Sequence, residues 1–274
     1  MGDPELIALT ELKVKLLERA EYLLEKLKEQ EANTEQTGSL QVPSTLKINT
    51  SDEKLFEHYE HRLCEISRQI SGITFENTDR KWLRDSLYQY TTHLVTKALT
   101  FLLELTVKLQ NEKDFEIVDI TCHFINIDKC YMIEIEPWVQ NITKMKNLSL
   151  LVSAISQYNE QSIFRNKILN HLKAEKYANW EQCTDKNGGI LIDIHCPTNL
   201  QKVLLKFQWS LLFLERTWQI ENFFVINPEE TGMKFAEENQ MLLKNFCKRS
   251  IEKEDLIDLW SNLCSAVDEY EGER

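Results

Sequence analysis

The sequence predicts an α+β protein in which one unit of antiparallel strands and helices occurs twice, behind an N-terminal helix. Three observations lead to this prediction. Two stretches of alternating apolar residues begin 104 residues apart, the N-terminus carries an amphipathic leucine pattern, and helical periodicity follows each alternating stretch. With 274 residues, the chain is long enough for two units that each bury a core.

Each alternating stretch has six apolar side chains at every second position, as a half-buried strand requires. The apolar positions are Leu99, Phe101, Leu103, Leu105, Val107 and Leu109 in the first stretch and Val203, Leu205, Phe207, Trp209, Leu211 and Phe213 in the second. We therefore expect the same meander of strands to occur in both units.

The N-terminal residues predict an amphipathic helix. Asp3 is a suitable cap and Pro4 suits the first helical position. The apolar stripe of this helix, the leucine stripe, consists of Leu9, Leu12, Leu16, Leu23 and Leu27. The spacing favours a short coiled coil with a partner helix, and an amphipathic helix packed on its own domain is the alternative.

Changes in composition divide the chain into four parts. Residues 1–34 are the N-terminal helix or coiled coil, 35–51 a polar linker, 52–154 the first unit and 155–274 the second.

Within the first unit, the patterns predict a helix that ends before Gly72, a meander of strands and a closing helix. The predicted helix is Asp52–Ile70, and the predicted strands are Leu94–Leu109, Phe115–Ile125 and Tyr131–Ile135, with an unassigned stretch over Thr74–Tyr90.

The second unit repeats this order after an opening helix through Phe164, Ile168 and Leu172. A turn at Asp185–Gly189 precedes its strands. The predicted strands are Ile190–His195, Val203–Leu214 and Trp218–Ile226, and the predicted final helices are Phe235–Cys247 and Glu252–Val267.

Charge and composition narrow the function classes. The net charge of −12 repels nucleic acid, no apolar run reaches membrane-spanning length, and an odd count of seven cysteines favours reduced thiols. The N-terminus lacks the apolar core of a secretory signal, so we expect an intracellular protein. The basic residues Arg165, Lys167, Lys173 and Lys176 are expected to lie on a solvated helix face.

Residue chemistry predicts neither an enzyme nor a metal or cofactor site. The metal-ligand candidates are His58, His61 and Cys64 on one helix and His195 with Cys196 in a strand, and neither set has paired ligands from separate turns. The only glycine pair, Gly188 and Gly189, lacks the Lys-Ser/Thr ending of a phosphate loop.

The tryptophans are treated as packing or docking residues. Trp209, Trp218 and Trp260 are expected in the core. Trp82 and Trp138, near polar segments, are the better candidates for partly exposed docking residues, but core packing is favoured for them too.

The chain resembles the tandem RWD arrangement of kinetochore proteins over roughly residues 55–270. The segments that carry the resemblance are Leu63 to Ile73, Phe115 to Ile120, the helix through Phe164, Asn170 to Lys173 and Glu175 to Tyr177, and the ending Leu256 to Cys264.

This resemblance implies a non-enzymatic structural subunit of the inner kinetochore, located in the nucleus at the centromere. It implies a heterodimer with centromere protein O, through tandem RWD domains and N-terminal helices, and contacts with other inner-kinetochore subunits during cell division. It implies no cofactor and no small-molecule, membrane or direct nucleic-acid partner.

Two alternatives stay open. An outer-kinetochore scaffold can also end in a tandem RWD after a coil. RWD domains are also similar to ubiquitin-conjugating enzymes, which carry His-Pro-Asn ahead of a catalytic cysteine. This chain has His195-Cys196-Pro197-Thr198-Asn199 instead, with the cysteine inside the motif, so we interpret the segment as a strand end and a turn.

Overall fold

A computed structural model describes residues 62–110, 114–185 and 188–272. These residues form a mixed α+β structure with two four-stranded antiparallel sheets and helices, which confirms the predicted fold class at that level. The predicted parts 1–34 and 35–51 lie outside the described residues. So do all members of the leucine stripe, Leu9, Leu12, Leu16, Leu23 and Leu27.

In the first sheet, consecutive strands are neighbours. Helical residues 62–71, here called α1, lead into it and end at Gly72, as the sequence predicts. Gly72 has a φ of 68°, in the left-handed region that favours glycine after a helix. The strands are β1 (Thr74–Arg84), β2 (Leu87–Val95), β3 (Thr100–Leu109) and β4 (Phe115–Phe124).

The second sheet has the same order of strands. They are β5 (Ala178–Gln182), β6 (Ile190–Cys196), β7 (Asn199–Leu214) and β8 (Gln219–Pro228). The two alternating stretches of the sequence lie mainly in β3 and β7, and each of these is the third strand of its meander. The predicted repeat of the alternating strand is therefore confirmed.

Helices link the sheets and follow the second one. They are α2 (Lys129–Lys144), α3 (Leu148–Ala174), α4 (Met233–Glu238), α5 (Gln240–Phe246) and α6 (Lys253–Gly272). The predicted boundary between residues 154 and 155 falls inside α3. Of the described helices, none combines the length and the hydropathy that a membrane span requires.

The predicted strand Leu94–Leu109 is wrong, because it is two strands joined by a tight turn. The side chain of Thr96 accepts hydrogen bonds from the backbone N–H groups of Ala98 and Leu99, which fixes the reversal between β2 and β3. Leu94 and Leu99 are both buried although they are an odd number of positions apart, so the apolar alternation shifts by one position across this turn.

The predicted strand Tyr131–Ile135 is also wrong, since these residues lie in α2. The segment is a short apolar run with Glu134 as its one charged residue, and such a run fits a strand as well as a buried part of a helix. The buried residues of α2 recur at helical spacing: Cys130, Glu134, Ile135, Trp138, Val139 and Ile142.

Three further elements differ from the prediction. The stretch Thr74–Tyr90 contains β1 and part of β2, and β5 has no predicted counterpart, because most side chains of β1 and β5 are polar and the apolar alternation is lost. The predicted helix Phe235–Cys247 is divided into α4 and α5 at Asn239.

Each sheet packs its apolar face on helices. The first core contains the first sheet, α2 and the N-terminal half of α3, together with Leu211 and Ile220 from the second sheet. The second core contains the second sheet, the C-terminal half of α3 and all three final helices. The helix α3 thus belongs to both cores.

Candidate interaction surfaces

A buried ion pair lies where the two cores meet. Arg165 of α3 donates to both carboxylate oxygens of Glu134 of α2, from Nη1 over 2.7 Å and from Nη2 over 3.0 Å. Neither side chain has any solvent exposure. The hydroxyl of Tyr158, about two helical turns earlier on α3, donates to the same carboxylate. This bidentate hydrogen bonding offsets part of the free energy that is lost when two charged groups are removed from water.

The same ion pair also makes hydrogen bonds to backbone groups of β7 that have no neighbouring strand on that side. The last residue of β7 that pairs with β6 is Trp209, opposite Ile190, so the next backbone groups of β7 have no strand beside them. Arg165 Nη1 donates to the Trp209 carbonyl over 3.1 Å, and Glu134 accepts from the Leu211 N–H over 2.8 Å. Two helices therefore complete the edge of β7, which satisfies backbone groups that burial would otherwise leave unpaired.

The charges in this cluster shift the pKa values of its members. Burial raises the pKa of Tyr158 well above its usual range, and the neighbouring Glu134 carboxylate raises it further. Burial acts to lower the pKa of Arg165, but the Glu134 charge and its hydrogen bonds outweigh that effect and leave it raised. The guanidinium stays charged and the phenol stays neutral, as a fixed structural cluster requires.

The expectation that Arg165 lies on a solvated helix face is therefore wrong. Its neighbour Lys167 is exposed, as expected. The sequence offers one signal for the pair, namely a glutamate and an arginine that each occur among apolar positions of their helix. The spatial meeting of α2, α3 and β7 is not visible in that signal.

The apolar face of the first sheet is buried at one end and partly exposed at the other. Facing residues in the strand register form rows across it. The row of Leu94 and Phe101 is buried under the helices. Toward the opposite end, Val107 is still only 5% exposed, and the exposed residues lie beside it: Trp82 at the end of its row, and Leu109 and Phe115 in the last row. Trp82 is 61% exposed, Phe115 is 63% exposed and Leu109 is 37% exposed. We call the exposed residues Trp82, Leu109 and Phe115 the open patch.

The tryptophans divide between the core and the surface. Trp209 and Trp260 lie in the core, as predicted, and stack on each other at 5.7 Å between ring centroids. Core packing is confirmed for Trp138, which is only 4% exposed and packs on Phe213. Trp82 is 61% exposed, in agreement with its alternative role as a docking residue, and the core prediction for Trp218 is wrong, since it is 40% exposed at a turn.

A second apolar surface is a groove of about 490 Å³ between α3 and α6. Phe164, Ile168 and Leu172 of α3 line one side, and Ile257 and Trp260 of α6 line the other. Polar side chains also reach it: Lys167, His171, Glu175, Tyr177, Ser261 and Cys264. Side chains of one partner helix would fit its width and chemistry.

The helix α1 exposes large apolar side chains as well. Leu63, Ile66 and Ile70 are exposed and follow each other at three- and four-residue spacing, while Ser67 and Ser71 face the body. Ser156 of α3 donates to the Ser71 carbonyl over 2.7 Å, which ties the end of this helix to the first core. The described part of α1 is therefore attached at its C-terminal end.

The thiols and imidazoles form no recognisable catalytic or metal set in the described part of the chain. Within residues 62–110, 114–185 and 188–272, no group of three His, Cys, Asp or Glu side chains could hold a metal ion. His58 and His61 lie outside these residues. Burial raises the pKa of Cys122 to about 12 and that of Cys264 to about 11, which disfavours their thiolates. His195 and Cys196 are buried at the end of β6.

Comparison with known proteins adds no relative. No protein-family model matches the chain, and no curated protein matches it in sequence.

Proposed function

We propose that this chain is a non-enzymatic structural subunit of the inner kinetochore, of the centromere protein P type. In this proposal, it heterodimerises with centromere protein O in the nucleus and, with other inner-kinetochore subunits, supports kinetochore assembly and chromosome segregation. The observation that carries the proposal is the double meander. A sheet of four sequential antiparallel strands backed by helices occurs twice, with the equivalent apolar strand third in each.

The distribution of polar groups also supports a structural role. The buried charged cluster of Glu134, Tyr158 and Arg165 is occupied by hydrogen bonds within the protein and has no exposed member. The raised pKa values of Cys122 and Cys264 favour neutral thiols over nucleophiles. By contrast, apolar side chains are exposed on α1, in the open patch and in the groove between α3 and α6, as expected for a protein that binds other proteins.

In the proposed heterodimer, the leucine stripe Leu9, Leu12, Leu16, Leu23 and Leu27 binds a helix of the partner. Burial of a leucine side chain contributes about 1.5–3 kcal/mol, so several together are enough to determine the choice of partner. A carboxylate placed in the stripe would be buried without a counter-charge.

The test is co-expression with centromere protein O, followed by size-exclusion chromatography with light scattering. We expect a one-to-one complex for the unchanged chain. Leu16→Asp with Leu23→Asp should weaken association at least a hundredfold, whereas the control Lys28→Asp adds a carboxylate away from the stripe and should leave it within about twofold. Failure of the unchanged chain to bind centromere protein O would refute the proposed function.

A further inference from the structure

The groove between α3 and α6 lies between two ends at which the helices are tied together. At one end, Lys253 Nζ donates to the Glu160 carboxylate over 3.3 Å, and at the other, the Tyr177 hydroxyl donates to the Asp268 carboxylate over 2.7 Å. These contacts join the start of α6 to the middle of α3, and a later part of α6 to the chain just after α3. The two helices therefore run in the same direction, with the groove along their length.

The length of the groove matches that of a short helix. Its α3 side extends from Phe164 to Glu175, eleven positions further along the helix, which is about 16 Å or three helical turns. On the α6 side, Ile257 is 50% exposed. An amphipathic helix of three turns presents apolar side chains at its first, fourth and eighth positions, and they would fill a groove of this length.

One buried polar atom at the groove lacks a partner. Trp260 lines the groove and is only 2% exposed, and its indole N–H has no hydrogen-bond acceptor among the described residues. Buried donors in native proteins nearly always have a partner. The rings that pack on Trp260, among them Phe207 and Trp209, carry no acceptor. The groove is therefore the side from which an acceptor can come.

The charges around the groove fit an acidic helix. The basic groups that line it are Lys167 and His171, both exposed and without an ion-pair partner among the described residues. The acidic groups Glu175 and Asp268 lie at the end that Tyr177 closes. A helix that runs opposite to α3 and α6 places its positive N-terminal end beside these carboxylates. An acidic side chain near the middle of that helix then faces Lys167.

We propose that the groove binds an amphipathic helix of another protein, with acidic residues beside its apolar stripe and in the direction opposite to α3 and α6. A side-chain oxygen of this helix accepts from the Trp260 N–H. The helix α1 of a second copy fits less well, because its described residues include Arg62 and Arg68 but only one acidic residue, Glu65.

This contact is additional to the one in the proposed function, because the groove and the leucine stripe consist of different residues. If centromere protein O does not bind, the groove contact is unaffected. The failure of either proposal can therefore be distinguished from the failure of the other.

The probe is a fluorescein-labelled helical peptide of two heptads, with leucine at the first and fourth positions of each, glutamate beside the leucines and alanine elsewhere. The control peptide has lysine in place of glutamate. Fluorescence anisotropy with the full chain should show about tenfold tighter binding of the acidic peptide. Ser261→Trp fills the groove from an exposed position and should weaken that binding about tenfold.

Two further measurements test the charge and the indole separately. Lys167→Glu should weaken binding of the acidic peptide about fivefold, whereas Lys248→Glu makes the same charge change at an exposed position outside the groove and should leave it within about twofold. In NMR spectra, the indole N–H signal of Trp260, identified by its absence in Trp260→Phe, should move to lower field when the acidic peptide binds.

Several results would overturn the proposal. Equal binding of the two peptides, undiminished binding by Ser261→Trp, or no binding by a chain that circular dichroism shows to be folded would each exclude an acidic helix in the groove. A dimer in light scattering that Ser261→Trp converts to a monomer would mean that a second copy occupies it. Benzoylphenylalanine placed at Ile257 should crosslink to the acidic peptide, and a link to another part of the same chain instead would mean that the chain fills its own groove.

Discussion

The first and second sheets share their strand order but differ in how completely helices cover them. The second sheet is enclosed by α3, α4, α5 and α6, and its core is a cluster of aromatic rings that includes Phe207, Trp209, Phe224, Phe246 and Trp260. Among the described helices, the first sheet packs on α2 and on half of α3, and its core is largely aliphatic. The second sheet thus holds most of the rigid packing, and the first keeps exposed apolar residues.

This difference follows from the position of each sheet along the chain. The second sheet takes α2 from the preceding unit and three helices from the segment after it. The first sheet must share α2 and α3 with its successor, and the described residues leave Trp82, Leu109 and Phe115 at one end of it exposed. One strand order therefore produces a closed core in one place and an open surface in the other.

Arg165→Met should have the largest effect on stability, because Arg165 lies in α3 where the two hydrophobic cores meet. It leaves the Glu134 carboxylate buried without its counter-charge and the Trp209 carbonyl without a donor. We expect the free energy of unfolding in urea to fall by about 5 kcal/mol. The control Lys167→Met, exposed on the same helix, should change it by less than about 0.5 kcal/mol. A change below about 1 kcal/mol for Arg165→Met would show that the pair is not needed.

Trp260→Ala should destabilise the closed sheet by about 4 kcal/mol, since it removes the ring that stacks on Trp209 and packs on Phe207. Trp82→Ala, at the open sheet, should cost no more than about 1 kcal/mol, mainly through the lost hydrogen bond from its indole to the Asp85 carbonyl. Denaturant unfolding of both variants measures the contrast. If both variants lost the same free energy of unfolding, the second sheet could not be more completely packed by helices than the first.

Gly189→Ala should cost about 2–3 kcal/mol, because Gly189 has a φ of 85° and an added Cβ would lie 2.4 Å from the Trp209 carbonyl oxygen. Gly72→Ala, before the first sheet, has a φ of 68° but meets only the end of the Asn159 side chain at 3.0 Å. We expect about 1 kcal/mol there. Thermal unfolding should rank the two variants in this order, and the reverse ranking would be evidence against tight packing at the second sheet.

The smallest expected contrast is in thiol reactivity. At pH 8 the thiolate fraction of Cys264, with a pKa of about 11, should be about tenfold larger than that of Cys122, with a pKa of about 12. Iodoacetamide should therefore modify Cys264 faster than Cys122 in the folded protein, and both more slowly than the exposed Cys247. Both slow rates should rise about tenfold for each pH unit up to pH 10, as the thiolate fraction grows. Peptide mass spectrometry follows each site, and urea should remove the differences.

Elements whose apolar residues recur at regular spacing could be predicted from the sequence alone. The strands β3 and β7, their 104-residue offset and the helix end at Gly72 could all be predicted, because alternation and glycine conformation depend on neighbours in sequence. The strands β1 and β5 could not, since most of their side chains are polar and their strand identity depends on pairing with β2 and β6. The segment Tyr131–Ile135 is a short apolar run that fits a strand as well as a helix, and it lies in α2, where buried residues recur at helical spacing.

The candidate surfaces divide in the same way. The leucine stripe and the burial of Trp138 could be proposed from sequence, whereas Trp82 and Trp218 are exposed although the sequence favours the core for both. The ion pair of Glu134 and Arg165 joins residues 31 positions apart, and each side chain alone resembles a surface charge. The helical spacing of Arg165 from the buried Tyr158 and Leu169 separates it from the exposed Lys167, but only the tertiary structure shows that it pairs with Glu134.

By itself, the sequence determined the fold class, the repeated alternating strand and the acidic character of this protein, because each depends on composition or on spacing along the chain. Only the tertiary structure decided which charges are buried, which tryptophans are exposed and which sheet is closed. Those properties depend on which elements meet in space. The helix α2, for example, packs on a sheet that begins more than thirty residues after it in the chain.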